Sequence, residues 1–310
     1  MPDTHRRRPN VQPQRAFGQR TANNTPFRQA EREFKARIQR LPPDLGRVVD
    51  FRDVDGSAEH NRREIIPLKL AVDLHGLDSR AFNRGPTKAY TLASHPGLIF
   101  IPEALTDEAQ RGLTRSSLCQ YARPPNKTNL DAFYDLPTEP LFSLHCREAA
   151  GLGGPGQCVR PKGAPLCGAG QDTQRTEGGS PFRTSEVKQA YLRAPQTASQ
   201  LVPRLRWTTL GRQYNWTTKE YDLGLDSPFP PDLDKLCRAI AVAVTNAGYR
   251  PSECGLTGHG GDDDWVSVNS YDGGQFKSQA GIINYYGLRD TLLGHVDRTE
   301  VNMAAPLISI

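Results

Sequence analysis

Apolar and polar positions along this chain alternate between stretches with a clear period and stretches with none. Residues 25–40 read as a helix: Thr25 can cap it, Pro26 takes the first helical position, and Phe27, Phe34 and Ile38 form one stripe among charges. Pro42 and Pro43 end it. Residues 48–51 are a candidate short strand, and the LIFI run at 98–101, bounded by Pro96, Gly97 and Pro102, predicts a buried one. Residues 105–121 predict a second helix, capped by Thr106 or Asp107, with Leu105, Ala109, Leu113 and Leu118 turned inward. Residues 186–193 are a short helix candidate, and 232–246 form a clear helix in which Leu233, Leu236, Ile240, Ala243 and Val244 recur at helical spacing. Residues 205–210 and 212–216 alternate as two strands. The AGIINYYGL run that begins at Ala280 is apolar and aromatic with strand-forming Ile and Tyr, and residues 287–290 (GLRD) then supply turn chemistry.

Two blocks lack any period. Residues 142–181 are dense in Gly and Pro, and residues 252–275 break a helix-to-strand connection with GLTGHGGDDDWVSVNSYDGGQ. Both are read as structureless insertions that stay solvent-exposed without packed apolar contacts, because such compositions bury too little surface to offset ordering entropy. Residues 1–24, studded with arginines and holding one acid, Asp3, are read as a disordered basic tail. Pro2, Pro9 and Pro13 oppose the amphipathic helix that a presequence needs. Hydrophobic residues make up 36% of the chain, with 28 Gly and 25 Pro, so part of the 310 residues is not expected to pack.

No apolar run is long enough to span a bilayer, and no charged segment precedes an apolar one at the start, so an intracellular protein without a membrane partner is expected. The choice among nucleus, cytoplasm and mitochondrion stays open, as does the oligomeric state. Six cysteines with no tight C-x-x-C spacing read as free thiols. The spacing of His145, Cys146, Cys158 and Cys167 fits no common zinc module, and His259 with Asp262, Asp263 and Asp264 reads as a solvated acidic loop.

The chemistry gathers near the end. His295 and Asp297 form an H-x-D pair, with Asn284 and Tyr286 upstream at the same spacing. In a strand, residues two apart project from one face, so an imidazole and a carboxylate so spaced can share one ion. They are two of the three ligands of the 2-His-1-carboxylate triad of non-haem iron(II) oxygenases, and no histidine follows His295.

Residues 205–222 (LRWTTLGRQYNWTTKEYD), 227–233 (SPFPPDL) and 280–300 (AGIINYYGLRDTLLGHVDRTE) resemble the AlkB family of dioxygenases, in particular its eukaryotic AlkB homologue one branch. Residues 25–39, 45–51, 90–105 and 124–137 resemble the same branch in order, so the likeness runs with interruptions from about residue 25 onward. The resemblance implies an α+β fold with a double-stranded β-helix (jelly roll) oxygenase core and flanking helices. Residues 25–89 would be an N-terminal helical extension. Residues 90–310 would be a partial dioxygenase domain, incomplete at its C-terminus and carrying the two insertions. It further implies iron(II) held by His295 and Asp297, and 2-oxoglutarate, as co-substrate with O2, held by Asn284 and Tyr286. Trp207, Tyr214, Asn215, Trp216, Arg298 and Glu300 would shape a substrate pocket, although core packing is an equal reading of Trp207. The implied activity is oxidative demethylation of N-alkylated bases in DNA or tRNA. The distal iron histidine, and the arginine that clamps 2-oxoglutarate in a bidentate manner, would lie beyond Ile310. The chain as written is therefore expected to be inactive, and a non-catalytic derivative that binds nucleic acid or protein is the alternative.

Overall fold

A computed structural model gives the fold. It describes residues 25–35, 44–46, 48–54, 58–152, 158–162, 194–215, 220–222, 224, 227–255, 264–288, 290–292, 294–295, 300 and 303–310. The chain divides into two compact units, Met1–Val48 with Leu292–Val296, and Val49–Thr291 with Asp297–Ile310. The expected basic tail and the helix expected at 186–193 lie outside the described residues.

The smaller unit is built on α1 (Pro26–Lys35). Its start is as the sequence predicts: the Thr25 hydroxyl accepts the Arg28 N–H at 3.3 Å, satisfying one of the donors that a helix start leaves over.

The larger unit begins with α2 (Glu59–Glu64), β1 (Ile65–Leu68), α3 (Leu74–Leu77), β2 (Ala89–Leu92) and β3 (His95–Phe100). It continues through α4 (Asp107–Ser116), β4 (Lys127–Thr128), β5 (Tyr134–Asp135), α5 (Leu141–Ala149), β6 (Arg160–Pro161) and α6 (Ala198–Leu201). Then come β7 (Trp207–Gly211), β8 (Tyr214–Asn215), β9 (Glu220–Tyr221), α7 (Pro231–Ala243), β10 (Gly248–Tyr249), β11 (Val266–Ser267) and β12 (Ala280–Asn284). Every strand pair among the described residues is antiparallel, so the unit mixes helices with small antiparallel sheets. No helix among them is long and apolar enough to cross a membrane.

Two helices follow their periodicity closely. The Thr106 hydroxyl caps α4 by accepting the Ala109 N–H at 3.1 Å, and the helix runs on into a π-helical turn, Ser117–Tyr121. In α7, Leu236 and Ala243 are buried and pack with Leu74 and Phe82, while Leu233 and Ile240 flank them. The two helices are tied where the Tyr121 hydroxyl donates to Asp232 Oδ2 at 2.6 Å. Burial first, and then the Asp232 carboxylate, push the Tyr121 phenol well above its ordinary value, which keeps it a donor. Tyr121→Phe removes a hydrogen bond to a charged group and should cost about 1–3 kcal/mol. Urea denaturation checks this, and an unchanged midpoint would show that water serves Asp232 equally well.

Four expectations need correction. Leu98–Phe100 of the LIFI run lie in β3 and Ile101 follows its end, but none of the four is fully buried: Leu98 is 48% exposed and the others are half-buried. Among the described residues β3 pairs with β2 alone, at one edge of the sheet. Residues 48–51 form no strand; a turn at Phe51 takes their place, with the Asp50 N–H donating to Asn61 Oδ1 at 3.1 Å.

The block at 142–181 is not structureless. Its first part is α5, whose Leu141 and Leu144 join a core cluster with Leu130, Tyr134, Val159 and Leu201, while residues 163–181 lie outside the described residues. The helical spacing of LFSLHCREA was hidden by the Gly/Pro run that follows it. The block at 252–275 likewise contributes β11, paired with β10, and a 3-10 turn at Gly273–Gln275. Gly273 is buried, and a Cβ there would lie 2.2 Å from the Ala241 carbonyl oxygen. A backbone that packs directly on a helix leaves no side-chain pattern to read.

Candidate functional site

The candidate co-substrate residues lie on a three-stranded sheet in the order β12-β7-β4. β12 and β7 pair over five residues: Ala280↔Gly211, Gly281↔Leu210, Ile282↔Thr209, Ile283↔Thr208 and Asn284↔Trp207. Directly opposed residues share a face, and successive residues alternate between faces.

One face is turned to the interior. Thr208 and Leu210 are fully buried on it, and Tyr285 continues the ladder, its N–H donating to the Arg206 carbonyl at 2.8 Å. The Tyr285 hydroxyl donates to the Ser117 carbonyl at 2.7 Å and accepts from Thr208 Oγ1 at 3.3 Å. Burial pushes its pKa up, so it stays a proton donor. This tyrosine fixes the end of β12 against the π-helical turn after α4, and nothing in the AGIINYYGL run distinguishes it from Tyr286.

The opposite face is turned outward. It carries Thr209, Ile282 and the Asn284–Trp207 pair, and alternation places Tyr286 on it as well. Thr209 is covered, its hydroxyl donating to Gln213 Oε1 at 2.5 Å, but Ile282 is 43% and Tyr286 56% exposed. Among the described residues no hydrogen bond engages the Asn284 amide or the Tyr286 hydroxyl. The turn expected at 287–290 forms and is locked: the Gly287 N–H donates to Asp290 Oδ2 at 2.7 Å, and Arg206 forms an ion pair with Asp290 at 3.3 Å. Arg206 and Asp290 thus hold the backbone on either side of Tyr286. Their signal was an acid at the end of a turn, a pattern too common to single out.

Asn284 and, opposite it, Trp207 therefore share one outward face, and Tyr286 is exposed two residues beyond Asn284. Tyr214 sits on β8, where its ring meets that of Tyr221 edge-on at 5.2 Å. Asn215 is the other residue of β8, its backbone paired with Glu220. Trp216, Asp297 and Arg298 lie outside the described residues. Glu300 is half-buried, and its Oε2 has no hydrogen-bond partner among the described residues.

His295 belongs to the smaller unit. It is exposed and lines a shallow groove with Phe27, Ala30, Glu31, Phe34 and Leu292. Gly294 and His295 lie in no strand. Among the described residues no three His, Cys, Asp or Glu side chains gather in a way that could hold a metal ion. Asp297 is not one of those residues, and an accessible imidazole with a carboxylate two positions on remains a nitrogen-and-oxygen donor set of the kind iron(II) takes. The outward face suits an anionic co-substrate in the same sense, since it offers an amide and a hydroxyl as unspent donors.

Residues 169–310, which hold all of these candidates, match the family model of the 2OG-Fe(II) oxygenase superfamily. The DNA N(6)-methyladenine demethylase ALKBH1A of Arabidopsis thaliana is 27% identical over 302 residues, covering 93% of this chain and 72% of that protein. The nucleic acid dioxygenase ALKBH1 of Mus musculus is 29% identical over 277 residues, covering 86% of this chain and 53% of that one. The tRNA demethylase abh1 of Schizosaccharomyces pombe is 27% identical over 289 residues, covering 92% and 69%. The chain thus spans about half the length of the mouse relative and about seven-tenths of the other two.

Proposed function

We propose that this chain, a member of the AlkB family of iron(II)- and 2-oxoglutarate-dependent dioxygenases, oxidatively removes methyl groups from N-methylated bases of a nucleic acid. The observation that carries this reading is the outward face on which Asn284 stands opposite Trp207, with Tyr286 exposed two residues further on. It combines two hydrogen-bond donors for a carboxylate-bearing co-substrate with an aromatic ring of the kind that stacks on a base. In this reading β12, β7 and β4 are part of one wall of a double-stranded β-helix, and the face that carries Asn284 and Trp207 is the one that meets the co-substrate.

His295 and Asp297 would hold the iron. Iron held there, with 2-oxoglutarate and O2, would supply chemistry in which O2 oxidises a methyl group to formaldehyde as the co-substrate becomes succinate and carbon dioxide. The remaining work belongs to side chains. The Asn284 amide and the Tyr286 hydroxyl donate to the co-substrate's carboxylate oxygens and fix its orientation. Arg206 and Asp290 keep Tyr286 in place by locking the turn that follows it. A base turned out of its stack meets the Trp207 ring, with Tyr214, Asn215, Trp216, Arg298 and Glu300 at its edges. The net charge of +5 favours a polyanionic partner. The relatives' names give DNA, tRNA and nucleic acid in general, so both polymers are candidate substrates.

The test is an assay of the full chain with iron(II), ascorbate, 2-oxoglutarate and N-methylated DNA and RNA oligonucleotides. Succinate and formaldehyde formed together as methyl groups are lost, with neither formed by His295→Ala, would support this reading and overturn the inactivity expected of a site with only His295 and Asp297 as ligands. Succinate without loss of methyl from either oligonucleotide would overturn the nucleic-acid assignment. Oligonucleotide binding with no succinate at all would leave a binding-only protein as the better reading.

A further inference from the structure

We infer that α1 acts as a brace for the metal histidine, with Glu31 and Phe27 as positioning residues that fix the backbone beside His295. The inference rests on the reading of His295 as an iron ligand and adds residues that lie more than 250 positions away from it in sequence.

A histidine at the end of a strand is held by the ladder of that strand. Among the described residues Gly294 and His295 lie in no strand. α1 supplies two contacts to this segment. The Gly294 N–H donates to Glu31 Oε1 at 2.6 Å, a charge-assisted bond to a carboxylate whose side chain is only 10% exposed. The other carboxylate oxygen of Glu31 forms an ion pair with Arg28, one turn earlier on the same helix, so the acceptor is itself steadied. The second contact is steric. Gly294 lies so close to the Phe27 ring that a Cβ added to it would come within 2.3 Å of Phe27 Cζ. One residue of the helix therefore pulls on the backbone of Gly294 and another limits how far it approaches. His295 follows directly, so its Cα is placed by the same two contacts. Partners that orient a metal ligand commonly change metal affinity 10–100-fold when removed, without touching the metal themselves.

The experiment titrates cobalt(II) into the full chain and follows its visible absorption. His295→Ala should abolish the signal. Glu31→Ala should weaken cobalt binding by about 10–100-fold. Glu31→Gln keeps an acceptor for Gly294 and should stay close to the wild type. Gly294→Ala, which drives a methyl group into the Phe27 ring, should also weaken binding, and the double variant Phe27→Ala/Gly294→Ala should recover it. That rescue separates a specific contact from a general loss of stability and serves if Glu31→Ala fails to fold. Hydrogen exchange supplies a readout free of metal: the Gly294 amide should exchange faster in Glu31→Ala. Cobalt binding that Glu31→Ala leaves intact and His295→Ala destroys would overturn the brace and spare the metal reading. Cobalt binding indifferent to His295→Ala would overturn the metal reading and the brace together.

Discussion

Replacing Asn284 by aspartate should weaken 2-oxoglutarate binding at least about a hundredfold. The change is nearly isosteric, and the backbone of Asn284 stays paired with Trp207, so the β12–β7 register is not at stake. What changes is the chemistry at the tip of the side chain. An amide that donates to a carboxylate becomes a carboxylate that only accepts. Losing a hydrogen bond to a charged group costs about 1.5–3 kcal/mol, or roughly ten- to a hundredfold in affinity. Repulsion adds to this: two like charges about 4 Å apart near a protein surface interact by about 4 kcal/mol before salt screening reduces it. Both effects have the same sign, and even a strongly screened repulsion brings the sum past a hundredfold. Titration calorimetry with manganese(II) in place of iron(II) measures binding without turnover. A loss under tenfold would mean that the Asn284 side chain does not face the co-substrate.

The features legible in the sequence were those that repeat locally. The caps at Thr25 and Thr106 and the apolar stripe of α7 depend on neighbours within a turn or two, and the structure returns them. The turn at 287–290 was legible for the same reason, since Asp290 closes it on Gly287. Burial was less legible. Nothing in LIFI states that β3 sits at a sheet edge, because edge position is a property of the strand order. α5 escaped notice because its nine residues precede a Gly/Pro run that dominated the reading of the whole block.

At the site, alternation put Asn284 and Tyr286 on one face, but it could not show that Trp207 stands opposite Asn284. That requires the pairing of strands more than 70 residues apart in the chain. The same limit applies to His295. A contact between Gly294 and Glu31 spans 263 positions, and a glycine with an acid near the other end of the chain is not a motif. Sequence patterns carry local geometry well, and the support around a site is mostly non-local.

A single methyl group at Gly211 is expected to destabilise the protein by about 3 kcal/mol or more. Gly211 ends β7 with φ +66°, a left-handed conformation that costs an alanine about 1–2 kcal/mol. The larger effect is a collision. A Cβ at this position would lie 2.3 Å from the Gln279 carbonyl oxygen and 3.1 Å from Phe229 Cδ2. The phenyl ring can shift, but the carbonyl cannot turn aside cheaply, since it accepts the Arg212 N–H at 2.9 Å. Gly255→Ala is the natural control: its φ is +69°, almost the same, and nothing lies within 4 Å of the added methyl. Urea denaturation of both variants therefore separates the backbone cost, common to the two, from the clash, present only at Gly211. Equal losses would show that the strand end moves freely and that the close approach is not rigid. The site should register the difference as well. Gly211 pairs with Ala280, the first residue of β12, and any shift there passes along the ladder to Asn284. The Gly211→Ala protein that remains folded should accordingly bind 2-oxoglutarate more weakly than folded Gly255→Ala, and equal affinities would show that the strand's start does not set the position of its end.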